Sequence, residues 1–387
     1  MRSSEGLSLV ETDENGVATA FRADVLQGLS EPQKAIPARW FYDDIGSELF
    51  EDITRLPEYY PTRAETEILS RHGEEFRQLI GEGRAVVEFG SGSSVKTPLL
   101  LDAIAPAAYV PLDIAGDFLR ASAETLAAKF PDLPVHPVEA DFMREVALPA
   151  EAAHLPKLGF FPGSTIGNMV ARTATDLLRT MRATLGEGSL LLIGMDLIKD
   201  PAVLEAAYDD AAGVTARFNL NLAERINREL DGTIPVDALR HVARWNDDFA
   251  RIEMHLEASR DIAFDVAGRR FAMGEGETIH TENSHKFSRR SSTLLLLAGG
   301  WTPRARWLDS EGRFSIILAD ATIPRSASRI SRWQRNTSNG SRPCRSTRAS
   351  SGRSRISGRK CDPAGWERRR FACSHSNAGE PPVLPGA

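Results

Sequence analysis

A glycine-rich turn follows an apolar run that is typical of a buried strand. Val86–Phe89 is followed by Gly90 and Gly92, and a helical pattern begins a few residues later. Because glycine has no Cβ, such a turn lets the backbone approach a ligand closely. The dinucleotide-binding fingerprint requires a third glycine three residues after the second. Val95 occupies that position, which disfavours a hydride-transfer enzyme.

Two further predicted strand ends carry groups that suit a nucleoside. Asp113 ends the next strand, 21 residues after Gly92, where a carboxylate can accept hydrogen bonds from ribose hydroxyls. Asp141 and Phe142 end the third strand and offer an acceptor for an adenine amino group and an aromatic face. For either acid alone, a helix cap or a surface charge would be the preferred interpretation. Three such ends at one sheet edge favour a nucleoside site.

The elements that would position these groups alternate between strand and helix. From Arg84 to about residue 198, short apolar runs alternate with helical segments, which predicts an α/β fold with a parallel sheet covered on both faces. Residues 199–285 instead show a long helical stretch interrupted at Gly213, then antiparallel strands with a turn at Ala267–Gly268. We therefore predict a second, α+β unit in this region.

The charge of the chain is divided unevenly. The net charge of the 387 residues is −6, but residues 322–387 carry 14 basic and three acidic side chains and all three cysteines. The remaining 321 residues are acidic and lack cysteine, which excludes disulfides and thiolate chemistry there. No apolar run is long enough to span a membrane, and the N-terminus does not resemble a secretory signal. We expect a cytoplasmic protein.

The glycine turn and the ribose-binding acid resemble those of the class I S-adenosylmethionine-dependent methyltransferases. Longer motifs resemble the L-histidine Nα-methyltransferases of ergothioneine biosynthesis, in order from about residue 20 to about residue 320. These motifs are WFYDDIGSELFEDITRLPEYYPTRAE, VVEFGSGSSVKT, FFPGSTIGN, YDDAAGVTARFN, HVARWND and TENSHKF. The resemblance implies transfer of three methyl groups from S-adenosyl-L-methionine to the α-amino group of L-histidine, which gives hercynine.

The resemblance also implies a division of the chain. A class I Rossmann-like methyltransferase sheet would occupy residues 64–198 and 286–321, and an α+β domain that recognises the amino acid would occupy 10–63 and 199–285. We further expect a monomer that binds a small-molecule substrate and neither nucleic acid nor a membrane. We expect no metal either, since the scattered histidines show no metal-binding spacing.

Positions that match the family's motifs supply the candidate site. The expected cofactor-binding residues are Tyr42, Gly90, Lys96, Asp113, Asp141 and Phe142. The expected substrate-binding residues are Tyr59, Asn168, Tyr208, Thr215, Met254, Glu282 and Ser284, of which Glu282 and Ser284 would serve the imidazole nitrogens. Tyr42 and Tyr59 are the candidate catalytic residues, as proton relays. The seven-residue spacing of Tyr208 and Thr215 predicts that they share one helix face.

Two segments depart from the family. Arg289–Thr293 can be encoded by DNA that reads Glu-Glu-Phe-Asp in another frame, so we expect compensating frameshifts within residues 288–297. Residues 322–387, with 13 arginines and 12 serines, extend beyond the matching region and are too polar to offset the entropy of ordering. We expect this tail to be disordered and out of frame.

Two alternative functions remain open. A relative of the same fold could methylate the α-amine of another aromatic amino acid, such as a tryptophan derivative. Glu282 argues against this, because an indole offers less to a buried carboxylate than an imidazole does. A protein of a different class could bind nucleic acid through the basic tail, although the acidity of the remaining chain weakens that hypothesis.

Overall fold

The computed structural model describes residues 14–92, 96–114 and 116–321. The strands are β1 (Lys34–Ala35), β2 (Ala85–Phe89), β3 (Ala108–Asp113), β4 (Val138–Glu139), β5 (Lys157–Phe161), β6 (Leu190–Asp196), β7 (Leu239–Asn246), β8 (Arg251–Ala258), β9 (Ile262–Val266), β10 (Arg269–Met273), β11 (Thr278–His285), β12 (Trp301–Leu308) and β13 (Phe314–Ala321). The α-helices are α1 (Glu14–Gly28), α2 (Asp44–Arg55), α3 (Tyr60–Arg71), α4 (Gly73–Ile80), α5 (Thr97–Ile104), α6 (Gly116–Lys129), α7 (Ala150–Ala153), α8 (Ala171–Leu185), α9 (Pro201–Tyr208), α10 (Val214–Glu229) and α11 (Arg289–Ala298). Short 3-10 helices span Ala38–Phe41, Thr165–Asn168 and Val236–Ala238.

A seven-stranded sheet forms one side of the fold, in the order β12-β13-β6-β5-β2-β3-β4. The pairs from β6 to β4 are all parallel, whereas β13 runs antiparallel to both of its neighbours. The predicted α/β class is confirmed. The parallel pairing expected for the strands of residues 84–198 is present as well. The later strands β12 and β13 are joined by a short turn, which requires them to run antiparallel to each other.

The order of strands in this sheet fixes where a ligand can bind. The chain builds from β2 outward to β4, then crosses back to place β5 on the other side of β2. In doubly wound sheets, this reversal opens a crevice at the carboxyl ends of the central strands. Gly90, Asp113 and Asp196 all lie at that edge, since each ends or directly follows one of these strands.

A second, four-stranded sheet has the order β1-β11-β8-β7, and β9 and β10 form a separate hairpin. The predicted turn of this hairpin is present, with φ of 48° at Ala267 and 78° at Gly268. On β11 and β8, Glu282 lies opposite Met254 and Ser284 lies opposite Ile252. Since alternate residues of a strand share a face, Glu282 and Ser284 project on the same side as the buried apolar residues of β8.

The apolar core falls into separate clusters. One joins buried residues from 21–60 to residues from 204–279, whereas the other two lie within residues 64–319 on the two faces of the large sheet. The described residues nonetheless pack as one compact unit. The division into a domain of 64–198 and 286–321 and a domain of 10–63 and 199–285 therefore stays a prediction.

Helix α11 covers the segment for which we expect a frameshift. Its start is a capping box, in which the Ser288 hydroxyl accepts the backbone N–H of Ser291 at 3.0 Å and the Ser291 hydroxyl accepts that of Ser288 at 2.9 Å. Such reciprocal capping satisfies backbone donors that a helix start leaves unpaired. The residues of this reading frame therefore form a helix with a capped start. The frameshift within 288–297 stays a prediction. The tail, residues 322–387, lies outside the described residues.

Candidate active site

The backbone of the glycine turn is hydrogen-bonded to the neighbouring strand, β3. The N–H groups of Gly90 and Ser91 donate to the carbonyl of Leu112 at 2.8 and 3.1 Å, and that of Gly92 donates to Asp113 Oδ2 at 3.2 Å. Gly90 has a φ of 75°, which L-residues rarely adopt. The structure thus brings the predicted glycine turn and the predicted ribose acid together.

The third predicted strand end differs in detail. Strand β4 stops at Glu139, so Asp141 and Phe142 lie just beyond it and the expectation that they end the strand is wrong. Asp141 Oδ1 accepts the backbone N–H of Met143 at 2.9 Å, a local turn that stops the strand. The Phe142 ring still reaches the turn, because a Cβ added at Gly90 would lie 3.4 Å from it.

Lys96 does not point freely into the crevice. Its ammonium lies 2.5 Å from Glu65 Oε2, and Glu65 is fully buried. The backbone N–H of Gly163, after β5, donates to the same carboxylate at 2.9 Å. The Glu65 carboxylate therefore bridges Lys96 and the backbone that follows β5. Glu65 was not among the sequence candidates, and Lys96 as a cofactor contact stays a prediction.

A row of aromatic rings leads from this edge to the second sheet. Tyr42 packs against Phe50 with ring centroids 5.7 Å apart, Phe50 against Tyr59 at 6.3 Å, and Tyr59 against Tyr208 at 6.3 Å. Burial, followed by nearby carboxylates or tyrosines, raises the pKa of each of the three tyrosines well above 10. These hydroxyls are therefore protonated at neutral pH and can act as hydrogen-bond donors.

Tyr42 lies between the two halves of the site. The carboxylates of Glu282 and Asp113 both raise the pKa of Tyr42, after the larger effect of burial. Tyr42 is thus within electrostatic range of the ribose acid on β3 and of the acid on β11. The residue as a whole keeps 43% of its surface accessible, so it lines a crevice, and the raised pKa reflects the surroundings of the hydroxyl rather than burial of the whole side chain.

Glu282 is the acid at the other end of this row. Burial raises the pKa of its carboxyl to about 7, although the Lys286 ammonium and a hydrogen bond from the Asn168 side chain both lower it. Asn168 ends the 3-10 helix that follows β5. The structure therefore joins two predicted substrate residues from the two sheets. An acid with such a pKa next to a cluster of tyrosines is a candidate functional group.

Tyr208 and Ser284 form a second pair across the site. Their hydroxyl oxygens lie 2.7 Å apart, and Lys286 Nζ donates to both at 2.9 Å. Lys286 also lies 2.8 Å from Asp196 Oδ2, and both side chains are almost completely buried. Sequence reasoning missed Lys286 and Asp196. Lys286 directly follows β11, and its alternation with Glu282 and Ser284 was the signal that could have revealed it.

The expectation that Tyr208 and Thr215 share one helix face is wrong. Tyr208 is the last residue of α9, and Thr215 lies in the first turn of α10 after a break at Gly213, whose φ is 69°. Asp210 in the break accepts the backbone N–H groups of Val214 and Thr215 at 2.9 and 2.7 Å and so begins α10.

Thr215 and Met254 are both buried. The Thr215 hydroxyl makes no hydrogen bond of good geometry among the described residues, although it lies close enough to the Asp210 carboxylate to lower its pKa. Met254 is 1% exposed and belongs to the apolar cluster of the second sheet. Its contact with substrate stays a prediction.

Three of the histidines make contacts within the fold. His255 and His280 stack with ring centroids 4.6 Å apart, and His285 Nδ1 lies 2.8 Å from the carbonyl oxygen of Gly167. Within residues 14–92, 96–114 and 116–321, no group of three or more His, Cys, Asp or Glu side chains could hold a metal ion. The same residues include no helix that is long and apolar enough to cross a bilayer.

Comparison with known proteins now decides the family. A sequence model of the family described as "Histidine-specific methyltransferase, SAM-dependent" matches residues 21–321. The chain belongs to this family. The sequence-based assignment is therefore confirmed, and S-adenosylmethionine is the methyl donor.

Relatives of this histidine-specific methyltransferase agree with the assignment. The chain is 39% identical to the histidine N-alpha-methyltransferase of Mycolicibacterium smegmatis, over 79% of this chain and 96% of that protein. It is 40% identical to the protein of the same name from Mycobacterium tuberculosis, over 78% and 94%. Ergothioneine biosynthesis protein 1 of Neurospora crassa is 29% identical over 76% of this chain and 35% of that longer protein.

The residues at the edge of the large sheet fit an S-adenosyl group. The backbone at Gly90 and Gly92 leaves room for close approach, and the Phe142 ring lies against the turn. Asp113 ends β3 beside that turn. The hydroxyl of Ser91 is buried and has no hydrogen-bond partner among the described residues. A carboxylate, an aromatic face and an unsatisfied hydroxyl together suit a ribose and an adenine.

Proposed function

We propose that this methyltransferase transfers three methyl groups, one at a time, to the α-amino nitrogen of L-histidine. The product is hercynine, and the reaction is the first step of ergothioneine biosynthesis. The observation that carries the proposal is the half-buried Glu282 carboxyl beside Asn168, at the end of an aromatic row that begins near the glycine turn.

The amino acid would be recognised by groups from both sheets. In the proposal, Glu282 accepts the imidazole N–H, and Ser284 serves the other ring nitrogen. Asn168 and Tyr208 hold the α-amino and carboxylate groups, and Tyr59 lines the same pocket. Thr215 and Met254 complete the surroundings of the ring. The burial of Thr215 and Met254, at 3% and 1% exposure, supports their placement inside the pocket rather than on the surface.

Methyl transfer would depend mainly on alignment. S-Adenosylmethionine supplies a methyl group on a positively charged sulfur, which is already a reactive donor. The protein's part is to hold the nitrogen in line with it, and orientation of this kind contributes about 7–11 kcal/mol. The position of Tyr42 within electrostatic range of both Asp113 and Glu282 supports its assignment between donor and acceptor.

The attacking amine must lose a proton before each transfer. An α-amino group titrates near pH 8, so this loss costs only about 1 kcal/mol at neutral pH. A strong base is therefore unnecessary. The raised pKa values of Tyr42 and Tyr59 suit neutral hydroxyls that relay the proton, directly or through water. If neither Tyr42→Phe nor Tyr59→Phe slows any of the three transfers, this relay role is wrong.

Because the sulfonium needs no further activation, we propose that the reaction uses no resident metal. We also propose a cytoplasmic monomer whose partners are small molecules rather than nucleic acids.

The proposed function is tested by mass spectrometry of the full chain incubated with S-adenosylmethionine and each of the twenty amino acids. We expect L-histidine to gain one, two and then three methyl groups at its α-nitrogen. A tryptophan derivative is added as a competing substrate. Methylation of the indole amino acid in preference to L-histidine would overturn the substrate assignment. Methylation of the imidazole ring instead of the amine would overturn the proposed orientation.

A further inference from the structure

A buried ion pair lies directly behind the proposed amino-acid pocket. Lys286 directly follows β11, which carries Glu282 and Ser284, and its side-chain exposure is 0%. Asp196, at the end of β6, has an exposure of 1%. Burying two charges is costly unless every donor and acceptor is satisfied. The protons of the Lys286 ammonium and of its partners therefore all need acceptors.

The Lys286 ammonium donates its three protons to three acceptors. Its nitrogen lies 2.8 Å from Asp196 Oδ2 and 2.9 Å from the hydroxyl oxygens of Tyr208 and Ser284. An ammonium has three donors and no acceptor. Both hydroxyl oxygens must therefore accept from Lys286, and neither can donate to it.

The two hydroxyls then share a single unassigned proton. Tyr208 and Ser284 together have two O–H groups, and their own contact at 2.7 Å uses one of them. Whichever hydroxyl donates in that contact, the other keeps its O–H. Among the described residues, no further acceptor lies within hydrogen-bond distance of either oxygen. Ser284 shares one face of β11 with Glu282, and the Tyr208 ring packs against Tyr59, so both hydroxyls lie beside the proposed pocket and this proton is available to a ligand there.

We propose that Lys286 is a positioning residue, which holds Tyr208 and Ser284 as acceptors so that the pair donates one proton to an acceptor atom of the bound amino acid. The inference rests on the proposed function, since it assumes that the pocket holds the amino acid. The acceptor atom is either a carboxylate oxygen or an unprotonated ring nitrogen. A ligand that places an N–H or O–H against the hydroxyl pair would bind poorly, because two donors would then face each other.

The chain provides a matched control in Lys199. Its ammonium lies 2.6 Å from Asp196 Oδ1 and 2.6 Å from the Tyr60 hydroxyl, and its side chain is 11% exposed. Lys199 therefore binds the same carboxylate as Lys286 without contacting Tyr208 or Ser284. Lys286→Met and Lys199→Met each remove one ammonium from Asp196 and keep most of the side-chain volume. Only Lys286→Met removes the constraint on the hydroxyl pair.

The test compares both variants with the wild type by steady-state kinetics, calorimetric binding of S-adenosylmethionine and thermal unfolding. We expect Lys286→Met to raise the KM for L-histidine about 10- to 100-fold, with cofactor affinity unchanged. Lys199→Met should lower the melting temperature but leave this KM within about threefold. Equal changes in KM for the two variants would overturn the inference. A wild type that does not methylate L-histidine would instead overturn the proposed function.

Histamine, which lacks the carboxylate, identifies the acceptor when its binding is measured by calorimetry. If the pair donates to the carboxylate, Lys286→Met weakens binding of L-histidine but not of histamine. If it donates to the ring, both weaken. Unchanged affinity for both ligands would contradict the inference.

A pH profile adds a readout that loss of stability alone would not move. The Lys286 ammonium lowers the pKa of Glu282, which also receives a hydrogen bond from Asn168 and faces the hydroxyls of Tyr42, Tyr59 and Tyr208. Lys286→Met should therefore shift the acidic limb of kcat/KM to higher pH, and Lys199→Met should not. An identical limb in both variants would contradict the inference.

A second set of variants keeps Lys286 in place, in case Lys286→Met does not fold. Ser284→Ala and Tyr208→Phe each leave one hydroxyl, which still has a proton for the ligand. The double variant leaves none. We therefore expect its loss in kcat/KM to exceed the product of the two single losses. If the loss in kcat/KM of the double variant equals that product, the two hydroxyls act independently, which would contradict the inference.

Discussion

The ammonium of Lys96 lies 2.5 Å from the carboxylate of Glu65, which also accepts the backbone N–H of Gly163. A buried helix residue thus connects the segment after the glycine turn to the end of β5, the two walls of the crevice. Glu65 is fully buried, so loss of its charge leaves Lys96 without the partner that fixes it.

We expect Glu65→Gln to raise the KM for S-adenosylmethionine about tenfold and to lower the free energy of unfolding by about 3 kcal/mol, as for other broken buried ion pairs. Kinetics and denaturant unfolding measure the two effects. Glu74→Gln, on the surface of the following helix, is the control and should change neither. If Glu65→Gln lowers stability while the KM is unchanged, Glu65 serves the fold and not the cofactor site.

Gly90 combines a positive φ of 75° with a close neighbour, since an added Cβ would lie 3.4 Å from the Phe142 ring. Gly83 has nearly the same φ, 74°, with nothing within 4 Å of an added Cβ. Alanine at either position should cost about 1–2 kcal/mol of stability through backbone strain. Only Gly90→Ala should also raise the KM for S-adenosylmethionine, by at least about tenfold, because it fills the turn. Equal KM values for the two variants would show that the turn does not approach the cofactor.

The parts of the site that could be predicted from the sequence are those with a local signal. The glycine turn and Asp113 follow apolar strands whose order is readable along the chain, and the structure brings them together at 3.2 Å. The spacing of Tyr208 and Thr215 led to the wrong prediction of one shared helix face. The five residues between α9 and α10 end one helix and begin another, but they do not disturb the apolar pattern along the chain. A periodicity argument cannot detect a break whose cap, Asp210, looks like any helical polar residue.

The parts that could not be predicted depend on pairing between distant segments. Asp196 is 136 residues from Tyr60, which donates to it at 2.6 Å, and no periodicity connects the two. Glu65 likewise meets Lys96 only because α3 packs against β13 and α5. Lys286 is different, since its alternation with Glu282 and Ser284 was visible once β11 was recognised as a strand.

The basic tail is expected to contribute nothing to catalysis. The family match ends at residue 321, where β13 also ends. Removal of residues 322–387 should leave kcat/KM and the melting temperature unchanged, because every candidate site residue lies before that point. RNA binding is measured alongside at low and high salt. A loss of methylation on truncation would contradict the prediction, and salt-dependent RNA binding lost with the tail would favour the nucleic-acid alternative.

Glu282 should set the acidic limb of activity. Its pKa of about 7 means that it is neutral below that pH and charged above it. If the carboxylate accepts the imidazole N–H, kcat/KM rises through pH 7 and again through the pKa of the substrate amine near 8. Glu282→Gln should remove the first step and keep the second. The exposed Glu275→Gln is the control and should keep both; a two-step profile in Glu282→Gln would assign the first step to another group.

The same carboxyl should make the ligand-free protein less stable as pH rises. Its pKa is near 4.5 when unfolded and about 7 when folded, so the folded state binds the proton more tightly. The stability that this proton provides is complete below pH 4.5 and is lost as pH rises through 7. Glu282→Gln should therefore increase the free energy of unfolding at pH 8 by on the order of 2 kcal/mol, and change it little at pH 4. Denaturant unfolding at both pH values measures this difference. A variant that is less stable than the wild type at pH 8 would show that the charged Glu282 is fully compensated by Lys286 and Asn168.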